Sequence, residues 1–331
     1  MRRPQTKWLV IAGVLAVAAA MVAFAIEFYS PKDRNADPVQ FEVTPGMSLV
    51  QVAARLSEEG LIRSRRVFVL GGRLGRVETQ IKTGRFRISA TQSAAGILRT
   101  LQEGHVALAR LTVREGLTVE QTATAVMEQI GIPAEDFLNY VDSLDASSLL
   151  GFPTDGMEGF LFPNTYFVSD GAGPAEIVRA MVKAFHEAVG DSFPRRAWVA
   201  GLSPAEVVTL ASVIEKETRV PEERPRISAV FHNRLRRGWR LEADPTVRYA
   251  LKRWKGFISY KDLEVESPYN TYRVWGLPPG PIASPGVASI EAAMNPDPAV
   301  IDLYFVARGD GSHQFSRTLK AHLRAKAAAR D

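Results

Sequence analysis

The chain has 331 residues, 41 basic and 36 acidic side chains, and no cysteine. That length suits about two domains, and the missing cysteines exclude a disulfide-stapled scaffold and a cysteine-ligated zinc site. The net charge of +5 is scattered, without a stripe of Lys and Arg interleaved with aromatics. A nucleic-acid partner is therefore not expected, and weak attraction to an anionic surface or polymer is.

From Trp8 to Ile26 nineteen residues pass without a charge, close to the ~20 needed for a helix to cross a ~30 Å hydrocarbon layer. A transmembrane helix is predicted over 8–29. The alternative is a cleaved secretory signal, but this apolar stretch is longer than a signal's and runs into Phe24, Ile26, Phe28 and Tyr29. Arg2, Arg3 and Lys7 precede it without an acid, and mixed charges follow. The positive-inside rule thus makes residues 1–7 a cytoplasmic tip and sends the rest to the outer, periplasmic face of the cell membrane. Polar, proline-containing residues 30–40 read as an exposed linker.

The segment Phe41–Ile62 predicts a short strand, a Pro45-Gly46 turn and a helix capped by Ser48, with Leu49, Val52, Ala53 and Leu56 as its apolar face. Leu111–Ile132 repeats the plan, Gly116, Thr118 and Gln121 standing where Gly46, Ser48 and Gln51 stand. With Gly84–Ser89 as a second strand and a further helix, residues 41–105 resemble the βααβ pattern of the LysM glycan-binding fold. A strand, turn and helix so generic also packs the core of many unrelated folds. Residues 106–331 are assigned to a larger mixed α/β domain, which makes the fold class α+β. Its loops from about Gly151 are rich in Gly, Pro and aromatics, and such loops commonly form clefts.

Gly201–Thr218 (GLSPAEVVTLASVIEKET) starts with Ser203 as N-cap, Pro204 at the first helical position and Glu206 at N3. The run Val207–Ile214 is apolar on most sides, as in a central helix. Two carboxylates follow, Glu215 and Glu217, ~200° apart around the axis, so one of them at most serves a given cleft. Small residues line the helix beneath Glu215. A carboxyl among apolar walls keeps its proton near neutral pH, as a general acid for glycosidic cleavage requires. Pairing of Glu215 with Lys216, Arg219, Arg224 or Arg226 is the alternative. The five histidines form no HExxH pattern, and no GxSxG, Walker A or dinucleotide glycine pattern occurs, so no metal or cofactor is expected.

LASVIEKET, FHNRLRRGWRLEADPTVRYAL, SPYNTYRVWGLPPGPIASPG and LYFVARGDGSHQFSRTLKAH resemble, in that order, the YceG-like family of endolytic murein transglycosylases, the MltG type. The resemblance implies an anchored lyase that cuts nascent peptidoglycan strands between N-acetylmuramic acid and N-acetylglucosamine, leaves a 1,6-anhydro end and works beside membrane synthases. It puts the acid/base role on Glu215 and draws Asp244, Thr246, Tyr269, Asn270, Thr271 and Tyr272 toward the cleft. Asn233, Asn270 and Tyr272 are candidates to hold the N-acetyl group, and Glu158 is expected in a cleft wall. The local alternatives are an Asn233 that satisfies backbone groups, an Asp244 that caps a helix, and tyrosines that belong to the core. Two competing readings are a non-catalytic glycan-binding scaffold and a hydrolytic muramidase with Asp244 or Glu158 as second carboxylate.

Overall fold

The computed structural model describes residues 4–33, 35–104, 108–169 and 171–328, with side chains from Ile11 onward. Residues 1–3 of the predicted tip, the predicted boundary at 105/106 and the last three residues lie outside that set. The fold is mixed α/β: fourteen α-helices and three two-stranded sheets among the described residues. It divides into two compact units, Met1–Ala109 with Ser169–Gly171, and Arg110–Val168 with Ala172–Asp331.

The first unit begins with the 26-residue helix Pro4–Tyr29. Its apolar window Ile11–Tyr29 is almost wholly unburied, and nineteen residues at 1.5 Å rise reach about 28 Å. Strands Val39–Val43 and Gly84–Ile88 pair antiparallel with Phe41 opposite Phe86. Alternation puts Phe41, Val43, Phe86 and Ile88 on one face. The helices Leu49–Glu58, Arg65–Leu74 and Ala94–Glu103 supply the rest of this core, with Leu56, Phe68, Ile97 and Leu101 fully buried. The predicted helix has its predicted cap and face: Ser48 and Gln51 form a reciprocal capping box, and Leu49, Val52, Ala53 and Leu56 are buried. Residues 30–33 and 35–38 are exposed or half-buried but not a free tether, since Asp33 N–H donates to Ala90, Ser89 Oγ to Ala36 and Arg63 to Pro31. Phe28, at the end of the long helix, lies against Gly71, where a Cβ would stand 2.1 Å from its ring.

In the second unit the repeat recurs, with a capping box between Thr118 and Gln121 heading the helix Val119–Ile130. Its strand, Leu108–Val113, pairs with the distant Asn164–Ser169 instead of completing a second copy of the first unit's sheet. The helix Pro204–Glu217 is the centre of the unit. Every residue from Val207 to Ile214 is buried, and the helix packs against Val287–Met294 and Arg224–Arg236. Its two interrupting hydroxyls are satisfied locally, Thr209 Oγ1 donating to Ala205 and Ser212 Oγ to Thr209. Ser212 also accepts from the Ile282 N–H, which ties the proline-rich loop to the helix. The hairpin Tyr304–Ala307 and His313–Ser316 and the helix Leu319–Ala328 complete the unit.

Candidate active site

The central helix starts where its sequence says it should: Ser203 Oγ accepts from the Glu206 N–H, and the Glu206 carboxylate accepts from the Ser203 N–H. It ends at Thr218, whose N–H and hydroxyl both return to the Ile214 carbonyl. The last turn carries an exposed Lys216 between the half-buried Glu215 and Glu217, and the 3.6-residue period sends the two carboxylates apart.

Glu215 does not have the apolar walls expected of it. Its Oε2 accepts from Ser289 Oγ at 2.6 Å and from the Gly286 N–H at 3.3 Å, and its Oε1 lies 3.6 Å from the Arg224 guanidinium. Arg224 Nε in turn donates to Ser289 Oγ at 3.1 Å. Gly286 precedes the helix Val287–Met294, so Glu215 also faces that helix's positive end. Glu115 closes the cluster, and burial followed by the charge of Glu215 raises its pKa. Hydrogen-bond donors and a cation are partners for a carboxylate anion. Arg224 is thus the ion-pair partner, and Glu215 also borders an open hollow of about 600 Å³ with Arg114, Glu115, Asn164 and Thr165.

Glu217 has the raised pKa expected of a general acid, although charged and polar side chains border it. Burial pushes its pKa up to about 8, the Asp244 charge adds to the rise, and Arg248 opposes it. Glu217 borders two adjoining hollows. One, of about 250 Å³, is lined also by Lys216, Arg219, Asp244, Arg248, Trp254 and His313. The other, a groove of about 630 Å³, is lined by Asp244, Tyr272, Phe257, Tyr260, Tyr304 and His313 among others. Asp244 is exposed and accepts from the Tyr272 hydroxyl at 2.7 Å. It is the first residue of the helix Asp244–Ala250, which has no side-chain cap, so the expected capping role falls away.

The other predicted residues divide into supports and strangers. Thr246 and Thr271 are fully buried behind Asp244, with hydroxyls 2.8 Å apart, and Thr271 Oγ1 also accepts from the Ala243 N–H. They pin the DPT turn to the YNTY loop and do not reach the groove. Asn270, fully buried, donates to the carbonyls of Leu263 and Val265 and accepts from the Tyr272 N–H, so its amide is spent on bracing the loop. Asn233 spends its amide on the carbonyls of Val300 and Asp302 and its oxygen on Arg236. Neither asparagine lines the groove. Tyr269 packs against Tyr249 with ring centroids 4.8 Å apart and planes tilted by 49°. Glu158 accepts from the Val119 N–H at the start of a helix and from the Tyr249 hydroxyl, and burial raises its pKa to about 7. It caps a helix start and does not line the groove.

Two groove residues had no assigned role in the sequence. His313 accepts or donates at Nδ1 to Glu223 Oε2 at 2.6 Å, and its N–H donates to the other oxygen at 3.0 Å. Arg248 lies one turn beyond Asp244 on the same short helix. A separate cavity of about 790 Å³, along the Leu319–Ala328 helix, carries none of the predicted residues.

The YceG-like family matches residues 41–328. The chain is 32% identical over 304 residues to a Bacillus subtilis protein named endolytic murein transglycosylase, covering 87% of this chain and 84% of that one. It is 28% identical over 316 residues to a Streptococcus pneumoniae protein of the same name, covering 86% of this chain and 57% of that longer protein. In three dimensions it is similar to the 2.6 Å crystal structure of a yceG-like protein from Listeria monocytogenes, with a TM-score of 0.60, 31% identity, and coverage of 88% of this chain and 99% of that one. On sequence and structure alike, the chain belongs to the YceG-like family.

Proposed function

We infer that the protein is a murein transglycosylase that cuts glycan strands internally and leaves a 1,6-anhydro-muramyl end. The names of its relatives support the reaction, and one observation supports the way it is carried out. Glu217 is a carboxyl group held protonated near neutral pH at the edge of a groove that also carries Asp244 and Tyr272. A protonated carboxyl can give its hydrogen to the departing glycosidic oxygen, and the resulting carboxylate can then take the proton from the sugar's own 6-hydroxyl as that oxygen closes on C1. The intramolecular hydroxyl replaces the second carboxylate that a hydrolase needs.

The resemblance gives this role to Glu215, which borders another hollow, of about 600 Å³, but whose carboxylate is already engaged by Arg224, Ser289 and the Gly286 N–H. The role is therefore proposed for Glu217. In this reading Asp244 raises the pKa of Glu217 and stands where positive charge develops on the anomeric carbon, with Tyr272 fixing its orientation.

A hydrolytic muramidase remains as a second reading because Asp244 shares the groove and is exposed to water. Mass spectrometry of digested murein separates the two, since transglycosylation gives anhydro ends and hydrolysis gives reducing ends. The same assay with Glu217→Gln and Glu215→Gln decides which glutamate is the acid. Anhydro release by Glu217→Gln at near wild-type rate would reverse the assignment, and no release by the wild type would leave the scaffold reading.

The same proposal includes the helix Pro4–Tyr29 as a single membrane anchor with its N-terminus in the cytoplasm, supported by its length and unburied apolar surface. It also includes the βααβ module within residues 41–105 as a LysM-like glycan holder, and neighbouring membrane synthases as the source of the strands.

A further inference from the structure

The smaller hollow beside Glu217 is lined by three cationic side chains, Lys216, Arg219 and Arg248. None of them makes an ion pair among the described residues. Lys216 Nζ donates to the Gly116 carbonyl, and Arg248 Nη2 donates to that of Gly256, but Arg248 Nη1 is buried with no hydrogen-bond partner. The carboxyl groups on this wall are Glu217, whose pKa burial raises to about 8, and Asp244, whose Oδ1 is occupied by Tyr272. Three confined cations outnumber the two carboxyl groups beside them, and an unpaired buried guanidinium nitrogen is costly. Such an arrangement persists where an anion completes it.

We propose that this hollow binds a carboxylate carried on the muramyl sugar at the scissile bond. The proposal rests on the murein-cleaving reading. Murein offers that chemistry on alternate sugars only: the 3-O-lactyl group of N-acetylmuramic acid ends in a carboxyl that is either free or amide-linked to a peptide with carboxylates of its own. The neighbouring N-acetylglucosamine has neither. A cationic hollow of about 250 Å³ next to the acid therefore selects which of the two alternating linkages lies under Glu217. Arg219, exposed at the rim, steers, and Arg248, half-buried, anchors.

The test uses the full-length protein in detergent with three substrates: peptide-bearing strands, strands stripped of peptide so that the lactyl carboxylate is free, and stripped strands whose carboxylates have been converted to primary amides. Anhydro-end release is measured for wild type, Arg219→Gln and Arg248→Gln. Each variant is expected to raise KM roughly tenfold on a carboxylate-bearing substrate, about one charge-assisted hydrogen bond, with kcat within about twofold. On the amidated strands variants and wild type are expected to converge. A KM effect on stripped strands assigns the lactyl carboxylate, and an effect confined to peptide-bearing strands assigns the peptide's. An equal effect on charged and amidated strands, or no effect on any, overturns the proposal. Should Arg248→Gln misfold, Arg219→Gln, on the surface, carries the test alone. Failure of the wild type to release anhydro ends would instead count against the reaction itself.

Discussion

Replacing Glu217 by Gln separates chemistry from stability, because Gln has the shape of a protonated glutamic acid but no proton to give. In the wild type the folded protein holds this carboxyl neutral up to about pH 8, whereas in the unfolded chain it ionises near 4.5. The folded state therefore binds more protons than the unfolded state between those values, and stability falls as pH rises through that window. It is undiminished by this group below about 4.5 and has reached its full loss above about 8. A rise of that size corresponds to about 5 kcal/mol, of which roughly 3 kcal/mol is already lost by pH 7. Gln does not titrate, so Glu217→Gln should match the wild type in thermal midpoint near pH 4.5 and become the more stable protein by several kcal/mol at pH 9. Anhydro release should fall by about 10² to 10⁴, the worth of a positioned acid. Scanning calorimetry at pH 5, 7 and 9, beside the digestion assay, reads both. Parallel stability curves for the two proteins would show that Glu217 is ionised in the fold, and the reasoning from its burial would then be wrong.

Glu215→Gln should do the reverse of Glu217→Gln. Removing one partner from the half-hidden pair with Arg224 leaves an uncompensated guanidinium, worth about 3 to 5 kcal/mol of stability, which urea denaturation would register, and a variant as stable as wild type would deny the pair its structural role. Asp244→Asn removes the charge that helps hold Glu217 protonated, so the alkaline limb of kcat/KM should move to lower pH, and an unmoved limb would detach Asp244 from the acid. Gly159→Ala places a methyl 2.4 Å from Pro281 at a φ of +88°, and a loss of more than about 1 kcal/mol is expected from the strained backbone alone. Gly71→Ala should unseat Phe28 from the first unit and make the bond after Tyr29 more susceptible to proteolysis.

Much of the fold could be read from local signals because those signals are self-contained. A capping box involves four consecutive residues, so Ser48 with Gln51, Thr118 with Gln121 and Ser203 with Glu206 marked three helix starts before any tertiary contact was known. The alternation of Phe41 and Val43 likewise named its own buried face. Electrostatic surroundings are not local. Arg224 and Ser289, which engage the Glu215 carboxylate, come from helices that begin nine and seventy-two residues away, and nothing in LASVIEKET predicts them. The same holds for Asn233 and Asn270, whose composition suggested sugar binding until their backbone partners were visible. The angle between the two glutamates, by contrast, follows from helical geometry alone, and their division onto two sides of the helix end was predictable.

That division explains how one helix terminus can hold two carboxylates with opposite properties. The last turn lies between two environments. On one side the Gly286 N–H, Ser289 and Arg224 offer Glu215 donors and a positive charge. On the other side, burial and the Asp244 charge push a carboxyl toward its acid. Exchanging them is not available to the chain, since a one-residue slip rotates every side chain by ~100° and takes Val207–Ile214 out of the core. Through these contacts Glu215 ties Val287–Met294 and Arg224–Arg236 to the central helix, from whose end Glu217 projects. The arrangement therefore makes a prediction about coupling: in a double-mutant cycle the Glu215→Gln loss of activity should vanish in a Glu217→Gln background, because Glu215 acts on the reaction only by placing Glu217. Two losses that multiply independently would mean that Glu215 touches the sugar itself.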